Sequence, residues 1–330
     1  MFFIKNLEFE LENFMLYCTS KNLSSKTIKA YEQTVKLFLR YLYHEHNIDE
    51  IEEVKTSHIR NYVKYLQERG KYTDTIKIKN NKYINNPENR NDYGKQISET
   101  TINNYLRNIK VFFSFLQEER IIRVNPCNRI KYLKTKRKMK ETISQEEFRT
   151  LLRGFDLTKY TGYRDYIITI ILLDTGMRIG ECLSLTTEDI DIKNKVILIS
   201  KNVKGNKERY VYLSFKMASE LRKWINYKDR YIESYLLFPT NRNTFLKVGN
   251  FEKNLKKVGN SVGISIHPHQ LRNQFAKQYL LNGGDLYTLS RILGHSSVKI
   301  TEQAYLDLTT EDIKKKYCRH SPLSKWNIIS

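Results

Sequence analysis

With 330 residues the chain is long enough for two domains of ordinary size, each able to bury a core without disulfide or metal staples. Lys and Arg number 57 against 36 Asp and Glu, a net charge of +21 shared almost evenly by both halves, which points to a polyanionic partner: nucleic acid before an anionic membrane surface. The longest apolar run, Tyr166 to Leu173, falls far short of the ~20 residues of a membrane span. The chain's start carries acids where a signal peptide needs a basic and an apolar block. Cys18, Cys127, Cys182 and Cys318 form no Cys-x-x-Cys pair, which excludes a zinc knuckle or a disulfide scaffold and fits the reduced thiols of a cytoplasmic protein.

Residues 7–46 read as two helices. In the second, Ile28, Tyr31, Val35, Phe38, Leu39 and Leu42 recur at helical spacing behind Ser24 or Ser25 as cap. A third helix begins near Thr56 and stops at Gly70. Residues 71–98 are polar, Asn-rich and aperiodic; so long a stretch reads as a mobile inserted loop with DNA as a candidate contact. Ser98 or Thr100 caps a fourth helix, and Asn125-Pro126 closes the unit, so residues 1–130 predict an all-α four-helix domain. Residues 131–140 follow as a basic linker, with Lys131, Lys134, Lys136, Arg137, Lys138 and Lys140 in one decade and no acid. Such a run is a solvated linker or a strap along a phosphate backbone, and the net charge favours the strap.

The second domain, residues 141–330, opens with the capping box of Ser144 and Glu147. The apolar helix RDYIITIILLDTG stops at Gly176, and a short helix, MRIGECLSL, follows. KVILIS and ERYVYLS are β-branched and aromatic runs separated by NVKGNK, a hairpin with Gly205-Asn206 at its turn. Helices follow over KMASELRKWINYK, over HPHQLRNQFAKQYLL with Pro268 near its start, and over DLYTLSRIL between Asp285 and Gly294. Two last helical segments cover SVKITEQAYLDL and TTEDIKKKY. The prediction is a mostly helical α+β domain with a small antiparallel sheet.

Taken singly, the polar residues of this domain are bland. His269 and Arg272 share a helix face, Arg178 pairs with Glu181, Lys204 sits in a turn, His295 follows a helix-stopping glycine, and Tyr305 is one of 23 tyrosines. In order, TGMRIGE, VKGNKER, HPHQLR, LGHSS and a tyrosine ten residues beyond His295 resemble the tyrosine recombinase (phage integrase) family, over roughly residues 141–320. The four-helix unit with its strap resembles, less specifically, that family's SAM-like core-binding domain.

The resemblance implies a site-specific DNA recombinase working through a covalent 3′-phosphotyrosine. Arg178 and Arg272 would hold the phosphate as bidentate guanidiniums, Tyr305 would be the nucleophile and Lys204 the general acid for the leaving 5′-hydroxyl. His269 would help deprotonate the phenol or hold the phosphate. His295 would bond a non-bridging oxygen, and Glu181 would orient Arg178 or His269. No metal or other cofactor is expected. Tyr305 lies one residue beyond the commoner spacing from His295, with Tyr287 and Tyr317 as poorer alternatives. The implied partners are double-stranded DNA recombination sites and further copies of the chain: a homotetramer on two paired sites, a monomer or weak dimer without DNA, and no membrane. The insertion and the expected lack of an arm-site domain favour a mobile-element recombinase, cytoplasmic and DNA-associated. The competing classes are a type IB topoisomerase and a non-catalytic sequence-specific DNA-binding protein. An intact polar set argues against the latter, and the C-terminal tail, which looks like a docking segment, against the former.

Overall fold

The computed structural model describes residues 5–71, 73, 91–135, 142–200, 208–295, 297–305, 312–314 and 317. Most of the predicted insertion, the hairpin turn at Gly205-Asn206, and Lys136, Arg137, Lys138 and Lys140 of the strap lie outside these residues. The chain divides into two compact units, Met1–Arg137 and Lys138–Ser330.

Among its described residues the first unit has four helices, α1 (Lys5–Ser20), α2 (Ser25–His46), α3 (Thr56–Glu68) and α4 (Glu99–Glu118), and a 3-10 turn at Ile51–Glu53. Of the two serines open as caps, Ser24 closes α2, its hydroxyl accepting from Thr27 N at 3.0 Å. Asn47 ends the helix in the left-handed conformation with its N–H on the Leu42 and Tyr43 carbonyls. Ser98 caps α4 in the same way. The core is aromatic: Phe14, Phe38, Tyr62, Phe112 and Phe113 are all but fully buried. The chain does not leave this unit at Asn125-Pro126. Ile130 is buried in the core and Leu133 packs on it. Asn103 grips Leu133 at both backbone groups, at 2.8 and 2.9 Å, and the Lys110 ammonium donates to Ile130 O at 2.5 Å. Lys131 and Lys134 of the strap are exposed.

The second unit starts at the predicted capping box: Ser144 N donates to Glu147 Oε2 at 2.8 Å and Glu147 N to Ser144 Oγ at 3.1 Å. Its helices are α5 (Gln145–Arg153), α6 (Tyr160–Thr175), α7 (Ile179–Leu183), α8 (Phe215–Tyr231), α9 (Val248–Ser261), α10 (Pro268–Leu281), α11 (Leu286–Leu293) and α12 (Val298–Tyr305). Further helical residues are 312–314 and 317. Strands β1 (Ile190–Asp191), β2 (Val196–Ile199) and β3 (Arg209–Tyr212) form one antiparallel sheet in that order, β2 meeting β3 at Ile197↔Val211 and Ile199↔Arg209. Helix α6, apolar round most of its circumference, is the hub, with Ile167, Ile168, Ile171 and Leu172 buried against α8 and α10. Trp224 on α8 fills the core and satisfies its indole N–H on Leu237 O at 2.9 Å. α9 and β1 were not among the predicted elements.

Candidate active site

The site is built where α6 ends. Gly176 closes that helix at φ +66°, and a Cβ there would come within 2.2 Å of the Phe275 ring. The chain turns and Arg178 caps α7, with Glu181 one turn on. Glu181 is only 1% exposed and its four acceptor positions are filled. Oε1 takes Arg178 Nη1 at 2.9 Å and Arg209 Nη1 at 3.0 Å, while Oε2 takes Arg178 N at 2.8 Å and Arg209 Nη2 at 2.7 Å. Burial alone would raise the Glu181 carboxyl; the Arg209 bonds, the Arg178 backbone N–H, the Arg209 charge and the Arg178 side-chain bond outweigh it and hold the group below its ordinary range. The Arg178 side chain stays 39% exposed, whereas that of Arg209 is only 8% exposed. Arg178 Nη2 reaches Gly294 O at 3.3 Å, and Arg209 Nε donates to Ile292 O at 2.8 Å.

Arg272, on α10, is buried at 6% exposure. It donates from Nη1 to Gly176 O at 2.6 Å and from Nη2 to Leu293 O at 2.8 Å and His295 Nε2 at 3.0 Å. All three partners are neutral, and no carboxylate among the described residues bonds it. Burial first, then the Arg178 charge, press this guanidinium down to about 9, still protonated at neutral pH. Because a guanidinium can only donate, His295 Nε2 accepts, so Nδ1 carries the proton and donates to Thr301 Oγ1 at 2.8 Å. Thr301 is fully buried on α12, the helix whose last residue is Tyr305. Three guanidiniums against one carboxylate leave two positive charges, one buried and one open to solvent, which suit a phosphodiester anion and the further negative charge its transition state gathers.

Of the predicted set, Arg178 thus bonds Glu181 and Arg272 bonds His295, and the two pairs meet at the adjoining carbonyls of Leu293 and Gly294. His269 stands in the first turn of α10, three residues before Arg272, and is exposed. Tyr305 ends α12 one turn beyond Thr301. Lys204 lies outside the described residues. Tyr287 and Tyr317 are 65% and 67% exposed. Arg209 and Thr301 were not singled out in the sequence. For Arg209 a signal existed: it shares the inward phase of β3 with Val211, between outward Tyr210 and Tyr212, and a charged residue in a core register needs a partner. Thr301 left none. Among the described residues no group of three or more His, Cys, Asp or Glu has the arrangement of a metal site.

The model of the phage integrase family matches residues 141–312, and that of the phage integrase N-terminal SAM-like domain matches residues 11–79. The chain belongs to the phage integrase family, and its activity is tyrosine-type, site-specific DNA recombination. Tyrosine recombinase XerC of Listeria monocytogenes serovar 1/2a is 28% identical over 312 residues, covering 92% of this chain and 94% of that relative. The solved structure of XerA recombinase is 25% identical with a TM-score of 0.50, over 95% of this chain and 98% of that one. The Tn1549 transposon integrase in complex with transposon right-end DNA shares the fold, with a TM-score of 0.70 at 17% identity over 94% and 98% of the two chains.

Proposed function

We propose that the chain cuts and reseals DNA by transesterification, with Tyr305 attacking a backbone phosphate, forming a 3′-phosphotyrosine and releasing a 5′-hydroxyl. The attack of that hydroxyl, or of one from a partner duplex, returns the ester, so the bond energy is kept. The observation that carries this reading is Arg272. Among the described residues this buried guanidinium bonds two carbonyls and an imidazole and no carboxylate, and the anion it suits is a phosphate oxygen. Arg178 presents the second, open guanidinium. Together they meet the charge that gathers on the pentacoordinate phosphorus, worth several kcal/mol where it is preorganised.

His295, held against Arg272, is then next to the phosphate, with a non-bridging oxygen as its partner. His269 serves the phenol or the phosphate, Glu181 orients Arg178, and Lys204 protonates the leaving oxygen. Arginine and lysine charge take the part a metal ion plays elsewhere, so the chemistry is metal-independent. The first unit holds the site as a core-binding domain, and residues 131–140 lie on phosphates. Strand exchange needs four copies on two paired sites, from a monomer or weak dimer in free solution. The tail bearing Leu323, Trp326, Ile328 and Ile329 docks on a neighbour. The biological setting we favour is a mobile element in the cytoplasm, on the ground of the 71–98 insertion. The full-length similarity to XerC recombinases favours a second setting, recombination at a site of the kind they use. DNA sequence flanking the gene separates the two and supplies the site.

The test is a nicked suicide duplex carrying that site. The protein should become covalently attached in the presence of EDTA, and Tyr305→Phe should bind the duplex and form no adduct. An adduct formed by Tyr305→Phe, mapped to another tyrosine, would overturn the assignment.

A further inference from the structure

Arg209 is a nearly buried, fully engaged cation beside Arg178, and the proposed reaction gives it no task. Its guanidinium makes two bonds to Glu181, at 3.0 and 2.7 Å, and its Nε holds the Ile292 carbonyl at 2.8 Å, two residues before Gly294. Gly294 is shaped around it: at φ +63°, a Cβ there would stand 2.9 Å from Arg209 Cδ, Nε and Cζ. One side chain on β3 therefore touches the α7 turn that carries Arg178 and the end of α11 that leads into His295.

The charge arithmetic gives this contact its meaning. With Arg178 alone, Glu181 would make a neutral pair, and the carboxylate would draw the guanidinium inward as readily as it orients it. Arg209 adds a second, buried cation, so that the cluster keeps a net positive charge and that charge falls on its exposed member, Arg178. Because Arg209 occupies one bond on each Glu181 oxygen, it also fixes the carboxylate's rotation, and with it the direction in which Arg178 projects.

We infer that Arg209 is a positioning residue for DNA cleavage, acting through Glu181 and Gly294 to neutralise the carboxylate and aim Arg178 and His295 at the phosphate. This rests on the phosphate-binding part read above for Arg178. A cluster displaced by about 1 Å costs on the order of 10²-fold in a rate, and the loss should appear in the chemical step and not in DNA affinity.

The experiment is a double-mutant cycle on the full chain with the suicide duplex, reading single-turnover adduct formation and, separately, duplex affinity by gel shift. Arg209→Ala should slow adduct formation about 10²-fold with affinity within about threefold of wild type. Arg209→Lys keeps a charge near Glu181 without the fork; it carries the same test should the alanine variant fail to fold, with a loss of about tenfold expected. Arg178→Lys should also be slow. Combining it with either Arg209 variant should slow it by no more than about threefold further, because both changes remove one function. Losses that multiply, losses that lie in affinity, or wild-type rates from both Arg209 variants overturn the inference while leaving the part of Arg178 intact. An undiminished Arg178→Lys rate overturns the reading of Arg178 itself, and this inference with it.

Discussion

At the scale of single residues the site is an exercise in where charge is allowed to stay. Glu181 and Arg272 are both buried, yet they are handled differently: among the described residues the carboxylate bonds two cations, and the guanidinium bonds neutral acceptors. The first is a structural charge and the second one held ready. The difference has a signature in pH. The folded state lowers the Glu181 carboxyl below its ordinary value of 4.5, so its ionised form stabilises the fold. That contribution is complete above pH 4.5 and is lost as pH falls through the lowered value. Glu181→Gln should therefore cost about 3 kcal/mol at neutral pH, because it strands Arg209. The gap to wild type should narrow steadily on acidification below 4.5. Urea unfolding at a series of pH values checks this; a gap independent of pH would mean that the carboxylate's charge carries none of the stability.

At the scale of elements, what could be read in advance was whatever the chain states locally. Serine caps, the Ser144/Glu147 box and the stop at Gly176 are each signalled within four residues, and those helices stand where the spacing puts them. α9 was missed because Gly249, Asn250, Asn254, Gly259 and Asn260 dilute helical propensity; only the packing of Phe251 and Leu255 into the core makes the segment a helix. β1 is two residues long and exists only by pairing with β2. The same division runs through the site. Arg178 and Glu181 are three residues apart and legible as a pair, whereas Arg209 finds Glu181 from 28 positions away and Thr301 finds His295 through the placing of α12. Gly176 joins the two kinds of information, being both the stop of α6 and the carbonyl that holds Arg272. Gly176→Ala puts a methyl group into the Phe275 ring at a positive φ. It should destabilise the protein by about 1–3 kcal/mol and slow DNA cleavage by moving Arg272. Stability within about 0.5 kcal/mol of wild type, the range of an unremarkable surface change, would show that the turn tolerates a side chain and that its carbonyl is not a fixed support.

At the scale of the whole molecule the governing quantity is the net charge of +21. Two positive charges in the candidate site cannot account for it, so most of the basic excess lies elsewhere, available to the length of a duplex. Binding of this kind is driven by release of counterions, and each phosphate neutralised adds about 0.9 to the slope of log affinity against log salt. The strap holds six basic residues in ten without an acid, while Leu133, within the same stretch, is clamped to α4 by Asn103. Lys131 and Lys134 therefore start from a fixed support, which lowers the entropy lost when they meet a phosphate. Replacing Lys134, Lys136, Arg137 and Lys138 together by glutamine should flatten the salt slope by about three to four. A duplex of unrelated sequence suffices, because phosphate contacts do not read bases. The affinity difference between wild type and variant should be large at low salt and shrink as salt rises. The Lys131 side chain is left in place as an internal reference, and the same titration with the exposed Lys247, Lys253, Lys256 and Lys257, at the start of α9 and along it, replaced by glutamine guards against a general effect of lowered net charge. Equal flattening by both sets would mean that the strap is one part of a diffuse basic field; an unchanged slope for the strap variant would mean that residues 131–140 only join the two units.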